Sequence, residues 1–576
     1  MKYIDLIAKN KILGSQLDSK KFEIHIISNI IVNELNNILE YSLRTNNINA
    51  ICVKTDYDNI IQNAETYKES SCIIIFWELA NIIEDIIYIQ NSISDQEVKT
   101  LEEKILNQID YLLKCLDKSR LVIFNKFSFN QFNSSFYFNS KIEKICSNLN
   151  DYLISKKNKN FFLIDLNKIF NIKGLDKCIN YRDYSSIKTL YTFDFYRDYV
   201  EHITPLILVN NGKAKKVIIF DCDNTLWPGI IGEDGAIEIK KNLKSSTGKF
   251  FYQIHNIILD LYKKGVILCI CSKNNEKEVC DFMDNNADLL INSNNFLLKK
   301  INWNNKHDNI LEISKELNLS LDSFVFVDDS EFEINLINNK IPQIKTLLVP
   351  SQIYDYPRKL LNFIPYFHTT KLTDEDKSRN KSYQNQFQRE SFRKKFSNIE
   401  EYLKSLDITI DTYIDKVSIV SRMSQITQKT NQFNLTTKRY TELEIEEFIK
   451  DPKFSLIAIS VSDNFVNSGI TGLCIIEYLD NNTAKLDTIA LSCRILGRKI
   501  EEVFLDIIIN FLNKKNIQFV HSCCVRTSKN EQVLNYFDNN SFELIKTSEN
   551  KKDYKLKLND YHYNNIDYIK INYEKE

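Results

Sequence analysis

The sequence predicts a multidomain α/β protein, and three observations carry that expectation. Its 576 residues exceed what a single hydrophobic core organises. From the start to about residue 365, short apolar runs alternate with helix-like segments, the pattern of parallel sheets covered by helices. From about residue 399 the order changes to consecutive strands followed by a helix, which marks a unit of another kind.

The elements follow in order. The first domain, residues 1–212, shows strands at 22–27, 50–53, 72–77, 121–124 and 161–164, with amphipathic helices such as 98–118 between them. Ser28-Asn29 follows a strand and reads either as a nucleophile turn or as a polar loop start. No catalytic constellation is legible here, so this domain is assigned no activity. The second domain, 213–366, shows strands at 216–220, 266–271, 289–291 and 323–327. Residues 367–398 read as a charged helical connector. The third domain, 399–548, shows strands near 456–461, 469–478 and 484–491 and a helix from about 499 to 514. Residues 549–576 read as a polar, Tyr-rich tail.

Composition limits the function classes. Apolar residues make up 43% and charged residues 26%, so a soluble globular chain is expected. Lys+Arg is 75 against Asp+Glu 76, and this balance gives no support to nucleic-acid binding. The 29 Tyr and 35 Phe exclude a disordered chain. The 13 cysteines form no CxxC pair, which argues against zinc. Their odd number, with no leader in Met1-Lys2-Tyr3-Ile4-Asp5, leads us to expect reduced thiols and a cytoplasmic protein. The most apolar stretch, residues 71–90, is broken by Glu78, Glu84 and Asp85 and is too polar for a membrane span.

The chemistry concentrates in the second domain. A buried strand, Lys216-Val-Ile-Ile-Phe220, runs into Asp221-Cys222-Asp223-Asn224-Thr225. This puts two carboxylates at the carboxyl edge of a parallel sheet, where open α/β folds bind ligands. One carboxylate can attack a phosphoryl centre, and the other can protonate the leaving group and later activate water. Two close carboxylates repel unless a cation stands between them, and Mg²⁺ suits oxygen donors. The next strand ends in Ser272-Lys273-Asn274, whose hydroxyl can bind a phosphate oxygen. Lys306 follows and can stabilise the negative transition state. A last strand ends in Asp328-Asp329, which can complete a metal site. Asp221 to Ser272 is 51 residues and Ser272 to Lys306 is 34, too short for a large cap domain. An open site is expected, suited to a macromolecular substrate or to a neighbouring domain as lid.

This order of motifs resembles the haloacid dehalogenase (HAD) superfamily. The resemblance implies Asp221 as nucleophile, Asp223 as acid/base, Ser272 on phosphate and Lys306 as the stabilising cation. It implies Mg²⁺ on Asp221, the Asp223 backbone carbonyl and Asp328, with Asp329 in or near that shell. Thr225, Lys273 and Asn274 are candidate substrate contacts. Asp-Cys-Asp-Asn-Thr-Leu-Trp227 followed by Pro228-Gly229-Ile-Ile-Gly232-Glu-Asp-Gly235 resembles the FkbH-like, or HAD-IIIC, subfamily, and the glycines suggest a tight hairpin over the site. Gln428-Lys-Thr-Asn-Gln-Phe-Asn434 and Ser492-Cys-Arg-Ile-Leu-Gly-Arg498 continue that resemblance. The first domain looks like an SGNH-hydrolase-like domain in architecture only.

The third domain resembles the GNAT N-acetyltransferase fold, with Arg494 and Gly497 opening a helix where a pyrophosphate can bind. Lys499 stands where such enzymes carry Gly or Ala, so a phosphopantetheine arm replaces CoA as the expected ligand. The alternative reading of the same domain is a scaffold without its own transfer chemistry. Lys429–Asn434 reads either as contacts to an acyl chain or as a helix cap. Cys222 and Cys493 are candidate acyl-carrier thiols, or simply small buried residues. The FkbH-like resemblance implies an Mg²⁺-dependent phosphatase and glyceryl transferase. It would act on an acyl phosphate such as 1,3-bisphosphoglycerate and load an acyl carrier protein. The alternative is a HAD phosphatase of a small metabolite with a non-catalytic GNAT-like domain.

Overall fold

The computed structural model describes residues 2–17, 21–53, 55–83, 93–132, 140–156, 160–367, 396, 398–527, 530–564 and 566–573. The expected connector lies almost wholly outside the described residues. The chain divides into two compact units, Met1–Asn210 and Asn211–Glu576.

The first unit is built on β1 (Phe22–Ser28), β2 (Ala50–Val53), β3 (Ile73–Phe76), β4 (Val122–Asn125) and β5 (Phe161–Ile164). They form a parallel sheet in the order β2-β1-β3-β4-β5. Every residue of β3 and β4 is buried, as central strands covered on both faces require. The helices Asp95–Cys115 and Lys141–Ser155 each begin with a capping box, from Ser94 and Glu97 and from Ser140 and Glu143. At the carboxyl edge, the Ser28 hydroxyl donates to the Ile30 carbonyl (2.8 Å) and accepts the Ile30 N–H (3.0 Å). Ser28 therefore closes a turn, as a loop start does.

In the second unit, β6 (Val217–Phe220), β7 (Ile267–Ser272), β8 (Leu298–Ile301), β9 (Phe324–Asp328) and β10 (Lys345–Leu348) form another parallel sheet, in the order β10-β9-β6-β7-β8. Alternation along β6 sends Ile218 and Phe220 into one core and Val217 and Ile219 into another. The strand expected at 289–291 is a loop, with Leu290 44% exposed. The edge strand is β8, paired through Cys269↔Leu298, and its two lysines suit an edge better than a buried position.

A third sheet contains β11 (Ile408–Ile414), β12 (Phe433–Asn434), β13 (Phe454–Ser462), β14 (Asn467–Tyr478), β15 (Thr483–Leu491), β16 (Phe519–Val525), β17 (Glu543–Ser548), β18 (Lys551–Lys557) and β19 (Ile569–Asn572). Its order is β17-β18-β16-β15-β14-β13-β11-β19, with β12 on β15. The expected tail is thus part of the sheet. Tyr554 and Leu556 alternate inward from β18, and β19 pairs with β11. The charged residues between them masked that period. β15 and β16 pair in parallel only over Thr483–Leu486 and Phe519–Ser522. Beyond that they part, and the chain's own residues 433–435 enter the gap. Phe433 and Asn434 pair with β15, and the Leu435 carbonyl accepts the Val525 N–H (2.7 Å).

The second and third sheets meet through residues 428–432. The Lys216 Nζ donates to the Lys429 carbonyl (3.0 Å), and the Gln432 Nε2 donates to the Asn318 carbonyl (3.1 Å). Gly212 lies so close that an added Cβ would stand 2.5 Å from the Gln428 carbonyl. Lys216 precedes β6, and Asn318 ends the helix Lys306–Leu317. These contacts therefore lie at the amino edge of the sheet, away from Asp221. They give no support to the third domain as a lid.

One buried acid in the first unit makes its stability depend on pH. Glu78 is 4% exposed and accepts from the Tyr191 hydroxyl (2.7 Å) and the Gln131 Nε2 (3.3 Å). Burial pushes its carboxyl up to about 7. The folded form then holds a proton that the unfolded form has lost between the ordinary carboxylate range and about 7, so stability falls as pH rises through that window. The cost above it is on the order of 3 kcal/mol. Glu78→Gln should remove it. Urea unfolding at pH 5 and pH 8, read by hydrogen-exchange labelling of β1–β5 peptides, should show the variant gaining on the wild type at pH 8 only. An equal difference at both pH values would count against this account.

Candidate active site

The site stands at the carboxyl edge of the central sheet, where β6, β7 and β9 end side by side. Asp221 follows β6 and continues its pairing, donating its N–H to the Val327 carbonyl (2.9 Å). Asp328 ends β9, and Asp329 follows it. Carboxylate oxygens of Asp221, Asp328 and Asp329 lie within 4.8 Å of one another. Lys306, at the start of the helix Lys306–Leu317, reaches both buried acids, at 2.9 Å from Asp221 Oδ1 and 2.7 Å from Asp328 Oδ2. Asp328 has no exposed side-chain surface, and its other oxygen accepts the Ser330 N–H (2.9 Å).

Burial and mutual repulsion set the proton affinities. Asp328 is pushed up to about 7, first by burial and then by Asp221, which together outweigh the lysine. Burial alone would lower the Lys306 ammonium, but Asp221 and Asp328 hold it above its ordinary range. Asp329 is exposed; partial loss of solvent and the Asp221 charge still raise it. Three carboxylates against one ammonium leave excess negative charge, and every donor is a hard oxygen. A divalent cation such as Mg²⁺ fits this set. The Thr225 hydroxyl is fully buried with no partner, a second sign that the site is shaped for an absent ligand.

Asp223 stands outside this trio. Its Oδ1 accepts from the Trp227 Nε1 (3.0 Å) and the Ile231 N–H (3.2 Å), and its Oδ2 accepts from the Asn274 Nδ2 (2.8 Å). Its carboxylate is not among the clustered acids. Burial raises the group despite these hydrogen bonds. Ser272 ends β7, 2% exposed, beside the Cys222 thiol. Asn274 thus serves Asp223 first, and Lys273 pairs with Glu333 at 2.7 Å.

The Gly-rich segment forms no hairpin. Asn224 takes a left-handed φ of 52°, and its Oδ1 accepts the Gly229 N–H (2.9 Å). Gly229 has φ 100°, and a Cβ there would meet the Asp234 carboxylate at 2.6 Å. A helix, Ile231–Leu243, follows, bent where Gly235 leaves helical geometry. The glycines mark a turn and a kink instead. Trp227 and Ile231 as partners of Asp223 were not foreseen, although Trp227 stands only four residues beyond it.

Two candidate thiols behave differently. Cys222 is a correction: it is fully buried in the core, and burial pushes its thiol well above the ordinary range, which suits a small core residue better than a nucleophile. Cys493 is half-buried and packs against the core of the central domain. In the third domain, the Arg494 Nε donates to the Ser492 hydroxyl (3.3 Å) and the Gly497 N–H to the Glu501 carboxylate (3.3 Å). The helix begins at Ile500 after a left-handed Lys499, and Glu501 and Glu502 occupy its first turn. These acids disfavour a pyrophosphate. Lys429–Asn434 lies at the junction of the second and third sheets, and its end enters the gap between β15 and β16.

The pairing of Lys306 has a stability consequence. Lys306→Met leaves two buried acids facing each other, which should cost about 3–5 kcal/mol in metal-free buffer. Urea unfolding with EDTA and with Mg²⁺ checks this. The midpoint should drop with EDTA and recover largely with Mg²⁺, whereas an unchanged midpoint with EDTA would show that the pair contributes nothing.

No family model matches the chain, and no curated protein matches it. Among solved structures it is similar to the N-terminal part of the protein BF1531 from Bacteroides fragilis, which contains a phosphatase domain and was crystallised with Mg. Identity is 23% and the TM-score 0.57, over 64% of this chain and 100% of that one. Weaker likenesses, each with a TM-score of 0.21, are to Ard1 from Thermoplasma volcanium and to the ribosomal-protein-S18-alanine N-acetyltransferase from Escherichia coli. The two are 15% and 13% identical, over 26% of this chain in each case and 98% and 94% of theirs. The first likeness is one of fold alone.

Proposed function

We propose that the central domain is an Mg²⁺-dependent phosphatase of the HAD type, acting through an aspartyl phosphate at Asp221. The observation that carries this is Lys306 held between Asp221 and Asp328 at the carboxyl edge of the sheet, with Asp329 completing a carboxylate trio. Asp221, Asp328 and Asp329 would hold Mg²⁺, which when bound neutralises charge on the trio and on the phosphate. The Bacteroides structure, crystallised with Mg, supports the same metal here. The Asp221 carboxylate attacks phosphorus while Asp223 gives its proton to the leaving oxygen and later takes one from water. Lys306, Ser272 and Thr225 meet the phosphoryl oxygens.

The finer reading is that the substrate is an acyl phosphate such as 1,3-bisphosphoglycerate, as in FkbH-like proteins: once Asp221 has removed the ester phosphate, a carrier-protein thiol attacks the acyl carbon, a thioester forms, and the remaining phosphate leaves as inorganic phosphate. The motif order and an open mouth support it. A second reading, a phosphatase of a small metabolite with a non-catalytic third domain, is favoured by two observations. Residues 433–435 fill the gap between β15 and β16, and the Gly497 amide is engaged by Glu501. The buried Cys222 removes one internal thiol route but not direct transfer to a carrier.

Asp221→Asn should abolish phosphate release and leave the fold intact. Ser272→Ala should cost about 10²–10³ in rate. Phosphate release and intact mass with freshly made 1,3-bisphosphoglycerate, Mg²⁺ and a phosphopantetheinylated carrier check both. Normal turnover by Asp221→Asn would sink the phosphatase reading. Phosphate without a glyceryl adduct would favour the second reading over acyl loading.

A further inference from the structure

The site carries two lysines with different surroundings. Lys306 is 6% exposed and is committed to Asp221 and Asp328. Lys273 is 39% exposed and pairs with Glu333 at 2.7 Å. Lys273 follows β7, and Glu333 lies in the helix Glu331–Lys340 that follows β9. Since β6 runs between β7 and β9, this pair reaches across the strand that delivers Asp221. Glu333 is buried, its Oε1 takes the Lys273 ammonium, and its Oε2 has no hydrogen-bond partner. Keeping a carboxylate buried for a single cation is costly unless that cation's position matters. The first turn of the helix fixes Glu333 further, since its N–H donates to the Ser330 hydroxyl (3.4 Å).

An ammonium has three donors. Glu333 takes one and holds Lys273 just beyond the carboxyl end of β7, and the lysine side chain keeps part of its surface exposed. The phosphoryl being transferred is already met by Lys306, Ser272 and Thr225. A cation anchored apart from them therefore answers a different charge. The geometry points to Lys273 as the residue that reads a second anionic group on the substrate, a carboxylate or a further phosphate, with Glu333 as its positioning residue. This rests on the phosphatase reading of the same site and narrows its substrates to phosphorylated compounds bearing another acidic function.

The test is read without turnover. Calorimetry on the full chain with saturating Mg²⁺ compares propylphosphonate with 3-phosphonopropionate, non-hydrolysable probes that differ in one carboxylate. The wild type should bind the second about tenfold more tightly, the worth of one charge-assisted hydrogen bond. Lys273→Met should bring the ratio of the two affinities close to one, and Lys273→Arg should keep it well above one. The proposal is overturned if the wild type binds both probes equally or neither. It is also overturned if Lys273→Met keeps the wild-type ratio, or if Lys273→Arg loses it as fully as Lys273→Met. Failure to release phosphate in the turnover assay, with the probe ratio intact, would count against the reaction and not against this subsite.

Discussion

Lys306 between Asp221 and Asp328 is the interaction on which the central domain turns. Two carboxylates at buried strand ends cannot stay ionised together without a cation, and the ammonium supplies one at under 3 Å to each. The rest of the site follows from this constraint. Asp223 takes its hydrogen bonds from Trp227, Ile231 and Asn274 and stays out of the trio. Asp329, at the exposed rim, leaves the trio open on one side. The arrangement remains short of positive charge, which is the physical basis for expecting Mg²⁺ there.

The sheet makes this possible through sequence that carries no chemistry. β6 is wholly apolar and buried, and Asp221, Ser272 and Asp328 stand where the buried strands β6, β7 and β9 end. Parallel topology sends all of those ends to one edge. Lys273 and Glu333 show how the edge is used, because residues 60 positions apart meet across the strand between them.

The third domain has a different relation to the site. Its segment 428–432 is anchored at the amino edge of the central sheet, and 433–435 are built into its own sheet where two strands part. Parted strands expose unpaired backbone groups that an extended ligand can use. Here the chain satisfies them itself, with the Asn530 Nδ2 donating to the Asn434 carbonyl (3.2 Å) to hold the insert. Any acyl transfer between these domains would need a substrate that travels, since these contacts lie away from Asp221.

Much of the sheet architecture was legible in sequence, because apolar runs of four to six residues ending in Asp, Ser or Asn have few other uses. The strands of the first two sheets stand out for that reason, except β10, which was not foreseen, and β8, whose lysines hide an edge position behind the more apolar but unpaired residues 289–291. β18 and β19 were hidden likewise, since Lys and Asp on the exposed face interrupt the apolar period. Asp221, Ser272, Lys306 and Asp328 could be singled out from residue type and order, and the structure brings Lys306 against Asp221 and Asp328. By itself the sequence determined which side chains could do chemistry and at which strand ends they stand. Only the tertiary structure decided which of them meet: Asp329 with the trio and Asp223 outside it, Lys273 on Glu333, Cys222 sealed in the core, and residues 433–435 between β15 and β16. Burial and charge pairing act between residues distant in the chain, and local sequence carries no record of those distances.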